Sequence, residues 1–106
     1  MNIQQMMRQA QTMQKKIEDL KQRIDVMEFE GTSGGGMVKI TINGRNDILR
    51  INFDKSVVDP SDPDLLADLI TAAFNDARKK LDDYSAGEMS GMASQLGLPP
   101  GVKLPF

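Results

Sequence analysis

The sequence predicts an α+β fold, α/β in the broad sense: a long N-terminal helix, a three-stranded antiparallel sheet, a C-terminal helix and a mobile tail. Three observations lead there. An unbroken heptad seam occupies the first quarter of the chain. Two runs of alternating apolar residues flank an Asn43-Gly44 step in its middle, and a wider helical stripe follows an Asp62-Pro63 pair.

The first helix, expected over residues 1–25, rests on Ile3, Met6, Ala10, Met13, Ile17, Leu20, Ile24 and Met27, which recur at steps of three and four. No Pro or Gly interrupts them, and the intervening Gln, Lys and Arg are good helix formers. A helix of about 24 residues is about 36 Å long, so it is expected to project beyond so small a body. A parallel coiled coil would set Lys16 opposite Lys21 of a partner, a like-charge pair. Methionines on the seam suit an adaptable contact. The seam is therefore expected to pack on the second helix and, at its base, on the sheet.

The sheet is expected over residues 26–54. Val26 to Gly31 alternates Met27 and Phe29 with Glu28 and Glu30, which reads as a short first strand. Gly34, Gly35 and Gly36 then make a bend. Val38, Ile40 and Ile42 before Asn43-Gly44, and Leu49, Ile51 and Phe53 after it, carry a strong hairpin signal. One face is apolar and wants cover. The other, with Lys39, Thr41, Asn43, Arg50 and Asn52, can stay wet, and Ile48 breaks the pattern.

The second helix is expected over 62–85. Asp62 can accept from orphan N–H groups and Pro63 suits the first helical position. Leu66, Ile70, Ala73, Ala77, Leu81 and Tyr84 mark the buried stripe, widened by Leu69 and Phe74. From Ser85 the periodicity fades, and residues 86–106, broken by Gly and Pro, read as a tail that is mobile unless it docks on a protein partner.

A chain of 106 residues is one domain, 1–106, with a modest core, which makes an oligomer a natural expectation. The absence of Cys and His excludes thiol catalysis, disulfides, the usual zinc sites and the ordinary acid–base residue. The first ten residues are too polar for a signal peptide and no apolar run is long enough to span a bilayer, so a cytoplasmic protein without membrane attachment is expected. The glycine cluster runs into a strand and lacks a following Lys-Ser/Thr, so it is a bend rather than a phosphate loop. Asp59, Asp62 and Asp64 are interrupted by Pro60 and Pro63 and lack the glycine and glutamate of a calcium loop, which leaves helix capping. Serines are present without a base. The chain is read as no enzyme, with no metal and no cofactor.

The remaining lead is charge. The net value is −2, yet residues 1–27 carry five basic side chains against three acidic, and residues 61–106 four against seven. Arg8, Lys15, Lys16, Lys21 and Arg23 lie on the first helix; Arg78, Lys79 and Lys80 come late in the second. Taken alone, these are a solvated face and a favourable cation cluster towards a helix C-terminus. Phe29, Phe53 and Phe74 hold apolar-pattern positions, so no stacking platform for single strands is visible.

Three stretches add a resemblance: M-M-R-Q-A-Q-T-M-Q-K-K at 6–16, G-T-S-G-G-G-M-V-K-I-T-I-N-G at 31–44 and A-A-F-N-D-A-R-K-K at 72–80. Together and in order, over nearly the whole chain, they make it resemble the YbaB/EbfC family of small bacterial nucleoid-associated proteins. The ending L-P-P-G-V-K-L-P-F at 98–106 is similar to the YbaB branch. The resemblance implies a homodimer joined through the sheet, with paired helices projecting like tweezers onto double-stranded DNA. It further implies little sequence preference, altered DNA conformation, a nucleoid location and effects on gene expression. Carried onto this chain, the implied DNA contacts are Arg8, Lys15, Lys16, Lys21, Arg23, Arg78, Lys79 and Lys80, and the implied dimer face is Val38, Ile40, Ile42, Leu49, Ile51 and Phe53. The rival reading is a protein-interaction adaptor that uses the Met-rich seam and the apolar tail.

Overall fold

The computed structural model describes residues 2–95. In chain order the elements are α1 (Ile3–Asp25), β1 (Glu28–Ser33), β2 (Val38–Asn43), β3 (Ile48–Phe53) and α2 (Pro63–Gln95), with short 3-10 turns at Gly34–Gly36 and Lys55–Val57. The sheet is antiparallel in the order β1-β2-β3. This is the α+β arrangement expected from the sequence.

Both helix starts are capped by a side chain. The Gln5 N–H donates to Asn2 Oδ1 at 2.8 Å, and the Leu65 N–H donates to Asp62 Oδ1 at 3.3 Å. The Gly34–Gly36 turn is built from three positive φ angles, 58°, 66° and 95°, a backbone that residues with a Cβ rarely adopt.

α2 packs mainly across β1 and β2. It approaches so closely because small residues meet there: a Cβ on Gly31 would lie 2.0 Å from the Ala73 carbonyl oxygen and 2.3 Å from the Ala77 nitrogen. Ala73 and Ala77 are themselves fully buried. Three polar ties hold the contact. The Thr32 N–H donates to Asp76 Oδ2 at 3.0 Å, the Ser33 hydroxyl donates to the Leu69 carbonyl, and Lys80 Nζ donates to the Glu30 carbonyl oxygen at 2.8 Å. The core beneath joins Val38, Ile40 and Ile42 with Val57, Phe29 and Leu81, and Leu20 and Ile24 come in from the base of α1.

The structure corrects several boundaries. α2 continues to Gln95 rather than ending at residue 85, so residues 86–95 of the expected tail are helical, and 96–106 lie outside the described residues. Gly87 and Gly91 each cost the helix about 1 kcal/mol relative to Ala. Met89 and Met92, packed against the core, and an Arg23–Glu88 ion pair at 3.2 Å offset that cost. β1 begins at Glu28, not Val26, because Val26 closes α1 in a helical conformation with φ −97° and ψ −3°. Thr41, expected on a wet face, is buried between its cross-strand partners Glu30 and Arg50.

The heptad seam is covered only in its lower half. Leu20 and Ile24 are buried and Met13 and Ile17 partly so, whereas Ile3 is 75% and Met6 56% exposed. α1 is therefore an arm as well as a wall. The molecule measures 69 × 23 × 16 Å, and its radius of gyration of 19.3 Å far exceeds the roughly 13 Å of a compact chain this long.

Candidate nucleic-acid interface

α1 carries its cations on three lines. With Ile3, Ala10, Ile17 and Ile24 at the a positions, Arg8 and Lys15 fall at f, on the face turned away from the seam. Lys16 and Arg23 fall at g and line a groove of about 450 Å³ between α1 and the outer end of α2, with Asp19, Glu88 and Met92. Lys21 falls at e, on the opposite flank. The sequence brings no carboxylate to the helix before Glu18. The outer two-thirds of the arm is therefore purely cationic, with Arg8, Lys15 and Lys16.

Ion pairing divides the eight residues implied by the resemblance. On α2, Arg78 Nε lies 3.9 Å from Asp82, Lys79 Nζ 2.7 Å from Asp83, and Lys80 Nζ 3.5 Å from Asp76. The hydrogen bond from Lys79 to Asp83, aided by the charge there, holds the Lys79 ammonium above its usual pKa. Three consecutive residues span more than half a helical turn, so they do not gather on one face. Arg23 is committed to Glu88. Arg8, Lys15, Lys16 and Lys21 make no ion pair within 4 Å among the described residues. α2 as a whole carries three basic against six acidic side chains and repels phosphate. The uncommitted positive charge of both helices lies on α1.

The implied dimer face also divides. Val38, Ile40 and Ile42 are fully buried within the single chain, under its own α2. Leu49, Ile51 and Phe53 stay 45%, 39% and 49% exposed, because α2 does not reach over β3. A residue missed by sequence reasoning joins them. The register slips between Thr41 and Ile42, so Ile42 pairs with Ile48 while Thr41 pairs with Arg50, and Leu49 is the extra residue of a bulge. Ile48, the apparent exception, thus rejoins the apolar row and is 49% exposed. Two adjacent apolar residues in an otherwise alternating strand were the available signal.

The loop between β2 and β3 sets the base of the arm. Asn43 Oδ1 accepts from the N–H groups of Arg45 and Asp47 at 2.8 and 3.1 Å. Gly44 sits against the end of α1, where a Cβ would lie 2.0 Å from the Ile24 carbonyl oxygen. Arg45 lies 3.5 Å from Asp25. The direction of the cationic arm is thereby fixed relative to the exposed edge strand. Among the described residues no helix is long and apolar enough to cross a membrane, and no group of three or more acidic side chains is placed to hold a metal ion.

Comparison with known proteins agrees with this architecture. The model of the YbaB/EbfC DNA-binding family matches residues 1–96. A nucleoid-associated protein of Granulibacter bethesdensis is 42% identical over 105 residues, covering 99% of this chain and 98% of the relative. A nucleoid-associated protein of Rhodospirillum centenum is 47% identical over 105 residues, with the same coverage. Among solved structures, an uncharacterized protein of Helicobacter pylori superposes with a TM-score of 0.75 at 23% identity, covering 87% of this chain and 97% of that one, a likeness of fold.

Proposed function

The chain belongs to the YbaB/EbfC DNA-binding family, and from that premise we propose that it is a non-enzymatic binder of duplex DNA that engages phosphates with its α1 arm. The observation that carries the reading is the segregation of charge: Arg8, Lys15, Lys16 and Lys21 are free of carboxylate partners among the described residues, while the cations of α2 are neutralised in place. Lysines and arginines of this kind bind by releasing counterions from the duplex. Phosphate contacts position a protein without reading sequence, so preference among sites comes from DNA shape. Arg23, Arg78, Lys79 and Lys80 contribute only where a phosphate displaces their carboxylate.

The working unit is a homodimer joined at β3. Its support is an edge strand whose apolar side chains Ile48, Leu49, Ile51 and Phe53 lack cover in a single chain. Joining two copies there covers these side chains and pairs two arms around one duplex. Such a clamp alters DNA conformation, organises the nucleoid and influences gene expression, in keeping with the names of the nucleoid-associated relatives.

The test is a salt titration of binding to random-sequence duplex, with sedimentation of the free protein alongside. A steep linear fall of log affinity with log salt and a particle of twice the chain mass are expected. A flat salt response overturns the phosphate reading, and a monomer overturns the dimer. The adaptor reading draws on the exposed Ile3 and Met6. It gains only if truncation after Gln95 removes a defined protein partner while DNA affinity stays unchanged.

A further inference from the structure

We propose that the upper half of the α1 seam, Ile3, Met6, Ala10 and Met13, receives the same stretch of a second copy of this chain, laid antiparallel, and so ties one DNA-bound particle to another. The tie between two duplexes rests on the DNA reading; the contact between arms does not. The seam runs on in sequence to the tip of the arm, but its cover stops short. Leu20 and Ile24 are buried, whereas Ile3, Met6 and Met7 stand 75%, 56% and 57% exposed. Gly44 against Ile24 and Arg45 beside Asp25 fix the base of α1, so this bare apolar strip is held away from the body.

The strip is complementary to itself in one register. Antiparallel helices set each a position against a d position of the other, so Ile3 meets Met13 of the second copy and Met6 meets its Ala10, large against small. Both contacts occur twice, and every uncovered seam residue is used. Sliding the pair one heptad towards the bodies would call on Leu20, which is already buried. Sliding it one heptad outwards leaves only Ile3 and Met6 in contact. In the favoured register the second helix starts level with Gln14, just short of the groove where α2 ends beside Lys16. The flanks there are Asn2, Met7, Gln9 and Gln14, all uncharged, and the nearest neighbour of Lys16 across the pair is Asn2. A parallel pair would instead oppose Lys16 and Lys21.

The copy seated on the seam is not the copy joined at β3. In the antiparallel register the two Leu20 residues lie about 36 Å apart along the paired helices, with each body at the base of its own arm. One pair of chains therefore cannot close both contacts, and the seam links separate particles. Arg8 and Lys15, at f, stay on the outside of both helices, so the pair is a strut about 20 Å thick with a cationic face on each side. A strip about 16 Å long and 10 Å wide is far smaller than the roughly 1,200 Å² that a stable complex buries. The contact is weak between free particles and gains strength where a duplex holds many of them close together.

The test uses the full chain, which has no native Cys. Gln9→Cys lies on the flank where the pair brings position 9 of both copies side by side, and Gln11→Cys faces away from the seam. Each variant is treated with a short bis-maleimide at high protein concentration without DNA, so that a weak contact accumulates as covalent product, and native sedimentation reads the particle. Gln9→Cys is expected to give particles of at least twice the unlinked mass. Gln11→Cys is expected to give at least fivefold fewer, and so is Gln9→Cys combined with Ile3→Gln/Met6→Gln, two exposed positions that accept a good helix former and leave the core intact. No doubled particle, a linked product of unchanged native mass, or equal linking at positions 9 and 11 each overturns the proposal. With DNA, a bead-bound duplex is expected to capture a second, fluorescent duplex through the unmodified protein. Ile3→Gln/Met6→Gln is expected to cut that capture at least fivefold while affinity for one duplex and its salt slope stay unchanged; undiminished capture overturns the tie. Mass doubling in a protein that binds no duplex overturns the DNA reading and supports the contact between arms.

Discussion

Replacing Lys15 and Lys16 together by Ala is the sharpest perturbation of the proposed DNA contact. Neither residue has a carboxylate within 4 Å among the described residues, so each is free to displace a counterion. A phosphate contact contributes about 0.9 to the slope of log affinity against log salt. The double substitution is therefore expected to flatten the slope by about 1.8 for each engaged arm, and by about 3.6 if both arms of a dimer grip the duplex. Between 50 and 200 mM salt the unmodified protein then loses about 12-fold more affinity per arm than the variant. The matched control is Arg78→Ala/Lys79→Ala, whose cations already sit 3.9 and 2.7 Å from Asp82 and Asp83. Its slope is expected to change by less than about one contact's worth. Fluorescence anisotropy on two unrelated duplexes, at five or more salt concentrations, reads both quantities, and the loss should be equal on the two sequences. If the α2 variant flattens the slope as much as the α1 variant, or the α1 variant leaves it unchanged, ion pairing does not select the contact and the reasoning fails.

Other outcomes rest on the packing. Ile51→Lys/Phe53→Asp, at two exposed β3 positions, is expected to halve the sedimenting mass while the far-ultraviolet circular dichroism stays unchanged; an intact dimer would place the interface elsewhere. Gly31→Ala drives a Cβ into the α2 backbone and is expected to cost about 3 kcal/mol, lowering Tm by about 12 °C or more. The same change at Gly87 and Gly91, where an added Cβ meets nothing within 4 Å, is expected to gain about 1–2 kcal/mol in total and raise Tm. Asp76 is held below its ordinary pKa of 3.8, first by the Thr32 N–H and then by the Lys80 charge. A depressed folded pKa adds stability above the unfolded value that is lost as pH falls through the folded one. Asp76→Asn is thus expected to lower urea stability by a constant amount above about pH 4, with the gap to the unmodified protein closing at lower pH.

Much of this molecule is legible in one dimension. Periodicity alone distinguishes the elements, because a 3.6-residue period on α1 and α2 and a two-residue period on β2 and β3 each put apolar atoms on a single side. The start of α2 is equally plain, since Asp62 satisfies a local N–H group three residues away. The charge surplus of the arm is a matter of counting. None of these depends on what lies across the fold.

What the tertiary structure decided are the features set by residues distant in sequence. Gly87 and Gly91 read as breakers because their cost is local, whereas the compensating contacts of Met92 and Glu88 come from the core and from Arg23, far away in the chain. The six apolar strand residues look equivalent in sequence. Only the placement of α2 over β1 and β2 buries Val38, Ile40 and Ile42 and leaves Ile51 and Phe53 to solvent. Likewise eight basic residues look interchangeable until the carboxylate distances separate bound from free. Composition states how many charges there are; three-dimensional proximity determines which of them are available, because Coulomb attraction falls with distance through space and not along the chain.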